Sequence, residues 1–166
     1  AGWEGRWRAA IDGELEEVSG DPDAVLVTLG IRHLFDVDDG GTRLVVGTAV
    51  WEARYRRAIE RAVAVIRSRT DAPILWMEVP CYRWEAAGAD GEERDDQRID
   101  VVNRVLADVL DGQDDVTVVP YRDRVCAGPD RTESRPELRP DGAHPTVDAA
   151  QEFWRSLVPA LDAAVR

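Results

Sequence analysis

The sequence predicts an α/β fold, a three-layer αβα domain built on a parallel, flavodoxin-like sheet. Two observations carry that prediction. Three short apolar runs, at residues 24–29, 73–79 and 116–119, are nearly continuous and suit strands covered on both faces. Around them, apolar residues recur at helical spacing, so the order reads helix, strand, helix, strand, helix, strand, helix. Strands joined by helices pair in parallel with right-handed crossovers, and ligand sites in such sheets lie beyond the carboxyl ends of the strands. The 166 residues fit one domain, and 44% hydrophobic residues suffice for a buried core.

Each element has its own signal. Trp3, Trp7, Ala10, Ile11, Leu15 and Val18 form one apolar stripe, stopped by Ser19-Gly20-Asp21-Pro22. The strand at 24–29 ends at Gly30. Asp38-Asp39-Gly40-Gly41, between Leu34-Phe35 and Leu44-Val45-Val46, predicts a hairpin tip. Its acidic spacing only superficially resembles a calcium loop, because the glycine comes one place early and Gly47 stands where a Glu is needed. Trp51, Tyr55, Ala58, Ile59, Ala62, Val63 and Ile66 share one face of a second helix. Ile99, Val102, Val105, Leu106, Val109 and Leu110 do the same in a third, after a polar, carboxylate-rich stretch at 83–97. The last helix starts near Val147, with Ala150, Phe153, Trp154, Leu157 and Leu161 expected inward. Pro159 is expected to kink it or end its regular part.

Composition excludes several functions. Acidic residues number 33 against 21 basic ones, a net charge of −12, which argues against nucleic acid or an anionic membrane surface as the partner. Every basic residue is Arg, so a Schiff-base Lys, a catalytic Lys and a P-loop Lys are all ruled out. No apolar run is long enough to insert in a membrane. Cys81 and Cys126 belong to no metal-binding pair spacing, and two readings of them stay open: buried thiols, or a disulfide that points to an extracytoplasmic location.

The two histidines carry most of the catalytic information. His144 follows Asp141 by three residues in Asp-Gly-Ala-His, just before the last helix. A tight Pro-Asp-Gly turn brings the carboxylate back to the imidazole, fixing its tautomer and leaving Nε2 as a proton acceptor, which is the orienter-plus-base half of a serine hydrolase triad. Thr146 suits the N-cap of that helix, with Asp148 in its first turn. His33 lies in Gly30-Ile31-Arg32-His33, where a loop side chain capping local backbone is the simpler expectation. Arg32 offers donors to an anionic group, and backbone N–H groups near Gly30 offer an oxyanion hole.

In this order of elements, with Gly-x-x-x after the first strand, Pro80-Cys81-Tyr82 after the second and Arg139-Pro140-Asp141-Gly142-Ala143-His144-Pro145 before a Trp-containing helix, the chain resembles the SGNH (GDSL-type) hydrolase superfamily. It looks most like the SGNH domains attached to bacterial membrane O-acyltransferases of the acyltransferase-3 type. Arg98 to Asn103 (RIDVVN) and Cys126 in Val-Cys-Ala-Gly-Pro-Asp share that likeness. The resemblance implies that His144 is the general base, Asp141 its partner and Gly30 part of an oxyanion block. It also implies an acyl ester of a carbohydrate or cell-envelope glycan as substrate, an attached membrane acyltransferase domain as partner, no cofactor or metal, and an extracytoplasmic location, with a cytoplasmic one left open.

Two departures stand beside these matches. Arg32 occupies the place of the family's Asn, with a guanidinium where an amide belongs. The Gly-Asp-Ser nucleophile block is absent: Ser19-Gly20-Asp21 has the wrong order, and Ser68, Ser134 and Ser156 lack a strand-to-helix elbow. The expectation is therefore a single SGNH-like domain over residues 1–166 whose N-terminal strand, with its serine, is encoded before Ala1. The alternative is a catalytically degenerate SGNH-like domain that binds a glycan or partner protein. A plain nucleotide binder ranks last, since no Gly-rich turn follows any strand.

Overall fold

A computed structural model describes residues 9–14, 21–81, 96–122, 137–141 and 144–165. The predicted strand at 73–79 becomes β4 (Ile74–Met77), the centre of a parallel sheet, and all four of its residues are buried. β1 (Val25–Val27) pairs along one edge, with Val25 opposite Ile74. β5 (Val116–Val119) pairs along the other, with Ile74 opposite Val116. Alternation along β4 sends Ile74 and Trp76 to one face and Leu75 and Met77 to the other. The first pair meets α1 (Ala49–Arg67) and α2 (Asp96–Leu110) through Ile59, Ile66, Val102 and Leu106. The second meets α3 (Val147–Ala164) through Leu157. The strand order β1-β4-β5 follows the chain, so right-handed crossovers must put α1 and α2 on the same face. The result is the three-layer αβα, flavodoxin-like arrangement expected.

Helix boundaries follow local chemistry. Thr48 caps α1, its side chain accepting from the Trp51 N–H at 3.4 Å, and Thr146 caps α3 by accepting from Ala149 at 3.3 Å. Of the first predicted helix, residues 9–14 are helical, and its remaining stripe residues lie outside the described ones. Asp12 ties this piece to Arg69 beyond the end of α1 at 2.5 Å.

Three expectations need correction. Leu34 does not open the hairpin. It ends a 3-10 turn over Ile31–Leu34, closed where His33 N–H donates to the Gly30 carbonyl at 2.8 Å, and its side chain is fully buried. The hairpin is shorter, β2 (Val37–Asp39) against β3 (Thr42–Leu44), and Gly40 and Gly41 take φ of 57° and 85° as its tight tip requires. Trp154 does not face inward. It is 46% exposed, because α3 touches the sheet along a stripe centred on Ala149 and Leu157, and a residue next to Phe153 turns about 100° away. Pro159 does not end α3, which continues to Ala164. The proline and Arg155, whose carbonyl loses its partner, are both exposed, so water replaces the missing hydrogen bond.

Two polar anchors hold the site-bearing end of the sheet. Asp36 accepts from the Val46 N–H at 3.0 Å and pairs with Arg98 of α2 at 3.1 Å, fastening the hairpin base to the helix layer. Burial alone pushes its carboxyl pKa up, but that hydrogen bond with Arg98 and Arg43 outweighs the effect and lowers it. Past the end of β4, Asn103 of α2 takes the role of a neighbouring strand. Its Oδ1 accepts from the Val79 N–H at 2.8 Å, and its Nδ2 donates to the Val79 carbonyl at 2.9 Å.

Asn103 and Val79 are both buried, so Asn103→Ala strands two backbone groups away from water. The expected loss is about 2–4 kcal/mol of unfolding free energy, read from urea denaturation. A variant within 0.5 kcal/mol (about the resolution of such curves) of the parent shows that water reaches Val79 and that the clamp is dispensable.

Candidate functional site

Asp141 and His144, predicted as a pair from their spacing, are in contact. The His144 backbone N–H donates to Asp141 Oδ1 at 2.7 Å, and the His144 ring Nδ1 lies 2.6 Å from Asp141 Oδ2. One carboxylate thus holds both the backbone and the ring of the same residue. Its contact with Nδ1 selects the tautomer with the proton on that nitrogen and leaves Nε2 as the acceptor. The imidazole side chain is 87% exposed, so Nε2 is open to a reacting group.

The turn carrying this pair is pinned to the sheet by Arg139, two residues upstream. Arg139 is 2% exposed, an unusual setting for a guanidinium. Its Nη1 donates to the Cys81 carbonyl at 2.7 Å, and its guanidinium lies 5.9 Å from the centre of the Phe153 ring of α3. Tyr121, after β5, also hydrogen-bonds to it: burial pushes the Tyr121 hydroxyl pKa up, and Arg139 pulls partly against that. The Thr146 N–H donating to the Leu138 carbonyl at 2.8 Å closes the same segment. Arg139 was legible only as a letter of the Arg-Pro-Asp-Gly block; no periodicity marks a buried arginine.

Cys81 is 1% exposed and disulfide-bonded, which settles the open choice for this residue against a free thiol. Cys126 lies outside the described residues. β1 ends at Val27, earlier than the expected 24–29, and Gly30 lies three residues past it with φ of 146°. A Cβ there would lie 2.3 Å from Val79 Cγ2, so close packing of the β1 and β4 ends already requires glycine. Arg32 is exposed on the 3-10 turn that follows. His33 does not cap backbone with its side chain. Its ring stacks on Tyr55 of α1 with centroids 4.3 Å apart, and burial, with Arg54 nearby, lowers its pKa to about 4.

Neither described serine reaches His144. Ser68 follows α1 at the end of the sheet where β4 begins, its Oγ bonded to the Val65 carbonyl. Ser156 donates to the Phe153 carbonyl, about 14 Å along α3 from its start. Ser19 and Ser134 lie outside the described residues. Among the described residues no helix is long and apolar enough to cross a membrane.

The protein family described as "Protein of unknown function (DUF459)" matches residues 6–149. No curated protein matches the chain.

The neutral state of His33 has a stability signature. Its pKa in the fold lies below the unfolded value of 6.5, so the unfolded chain takes up the proton first. The fold is unpenalised above pH 6.5 and loses stability as pH falls towards 4. His33→Gln removes that slope, worth about 3 kcal/mol across the window. Denaturant unfolding at pH 7, 5.5 and 4 should show parent and variant diverging; parallel curves refute a buried neutral imidazole.

Proposed function

The chain belongs to the DUF459 family, an SGNH-hydrolase-like group, and from that premise we propose that it is the base-bearing part of an SGNH-type serine esterase or O-acyltransferase. The observation that carries this reading is the double hold of Asp141 on His144, with Nε2 left open to solvent. The substrate is an acyl ester of a carbohydrate or cell-envelope glycan, and the nucleophile is a serine of the same polypeptide encoded before Ala1. An extracytoplasmic location, and an attached membrane acyltransferase domain as partner, complete the proposal. The disulfide at Cys81 fits an oxidising compartment.

In this mechanism the serine Oγ attacks the ester carbonyl while its proton passes to His144 Nε2. Asp141 stabilises the imidazolium that results. Collapse of the tetrahedral intermediate breaks the ester C–O bond, and the leaving alkoxide takes the proton from Nε2. Water, or a sugar hydroxyl, then attacks the acyl-enzyme with His144 again accepting the incoming proton, and as the acyl–serine bond breaks Nε2 returns that proton to the serine Oγ. Backbone N–H groups near Gly30 and the Arg32 guanidinium are the donors for the developing oxyanion.

A second reading, a catalytically silent SGNH-like domain that holds a glycan or partner protein, is favoured by Arg32 at the place of an amide and by the lack of any described serine near His144. The same experiments separate the two. A fluorophosphonate probe is expected to label the polypeptide that includes the upstream serine and to leave the 166-residue chain unlabelled. Labelling of the short chain means one of its own serines is activated, and labelling of neither supports the silent domain. In the longer polypeptide, His144→Ala should lower esterase turnover by about 10³-fold or more, while a variant that keeps full activity removes the base from the mechanism.

A further inference from the structure

Beneath the 3-10 turn and the hairpin, against the first half of α1, lies a cavity of about 460 Å³ that no residue of the Asp141–His144 turn lines. Its walls are aromatic: Trp51 and Tyr55 of α1 and Trp76 of β4 line it and are 2–3% exposed, with the His33 ring stacked on Tyr55. Its charge runs against the rest of the molecule. In a chain with 33 acidic residues, no carboxylate lines this cavity, and three arginines do. Arg54 is committed to Asp39 at 2.7 Å. The Arg32 guanidinium has no hydrogen-bond or ion-pair partner among the described residues.

A second observation points to a ligand. The Tyr55 hydroxyl is buried and has no hydrogen-bond partner among the described residues. A buried hydroxyl left without a partner costs about 1–3 kcal/mol, and native interiors rarely leave one so. It lies beside Gly30, 3.8 Å from where a Cβ would stand, in the same wall of the cavity from which Arg32 projects two residues later. An O–H donor and an unpaired guanidinium on one short stretch of wall call for an oxygen anion. The aromatic remainder calls for an apolar body. His33, neutral at physiological pH, adds a stacking surface without a competing charge.

We infer that this cavity binds a small amphiphilic monocarboxylate, its carboxylate held by the Tyr55 hydroxyl and Arg32 and its acyl or aromatic body packed against Trp51 and Trp76. The inference shares Arg32 with the esterase reading but uses neither Asp141 nor His144, so octanoate binding by this chain and fluorophosphonate labelling of the longer polypeptide fail independently.

Isothermal titration of the 166-residue chain at pH 7 with octanoate, octanol and acetate tests it. Octanoate should bind saturably at one site, at least tenfold more tightly than octanol, which lacks the charge, or acetate, which lacks the body. Tyr55→Phe, which keeps the ring, and Arg32→Gln should each weaken octanoate about three- to tenfold. Ala58→Leu, which places a larger side chain on the cavity wall, should abolish binding with the melting temperature retained. Absence of saturable octanoate binding, equal binding of octanol, or wild-type affinity in both Tyr55→Phe and Arg32→Gln each overturns the proposal. The first is also the result expected if the chain's own residues fill the cavity.

Discussion

The constraint on which the rest of the structure depends is the need to finish β4 without a neighbouring strand. The ladder to β5 ends with Glu78 N–H donating to the carbonyl of Val119, the last residue of β5, and the next peptide groups are buried. An unpaired peptide in that position costs about as much as a lost hydrogen bond on each side, so something must supply a donor and an acceptor together. The Asn103 amide does both. Once Val79 is fixed, the β1 end approaches it closely enough to demand glycine at position 30, and the Cys81 carbonyl two residues on becomes the acceptor for Arg139. The Asp141–His144 turn, through Arg139, and the cavity, through Gly30, therefore both take their positions from one short segment, 79–81.

The fold was largely legible because its core residues are redundant. Trp51, Tyr55, Ile59, Ala62, Val63 and Ile66 repeat one message over nineteen residues of α1, so no single position has to be read correctly. The burial of all four residues of β4 likewise shows as an unbroken apolar run. What misled was apolar character without a partner in space. Trp154 is as hydrophobic as any core residue, yet the three described strands give α3 only a narrow face to cover. Leu34 is fully buried, but the backbone around it turns instead of extending, a choice made by the positive φ of Gly30 that spacing alone does not reveal.

The candidate site was legible to the extent that it is local. Asp141 and His144 are three residues apart, and the carboxylate that reaches the ring also reaches the backbone N–H of the same histidine, so both contacts are local in sequence. Arg139, Asn103 and the His33–Tyr55 stack were not legible in the same way. Each is a contact across 22 to 58 positions, made by a polar or aromatic side chain whose burial depends on what the rest of the chain places around it.

This division between local and distant contacts bears on how such a site tolerates change. The Asp141–His144 contact is local in sequence, whereas Arg139 links the same segment to the end of β4 through the Cys81 carbonyl. The buried guanidinium is the costly component, since desolvating a charge takes several kcal/mol unless hydrogen bonds replace the lost water. Here the Cys81 carbonyl, the Tyr121 hydroxyl and the Phe153 ring replace part of it, and they come from the end of β4, the end of β5 and α3. One charge in a low-dielectric setting thus draws on three elements at once. That makes Arg139 a test of correct assembly, and it ties the placement of the histidine to the completion of the fold.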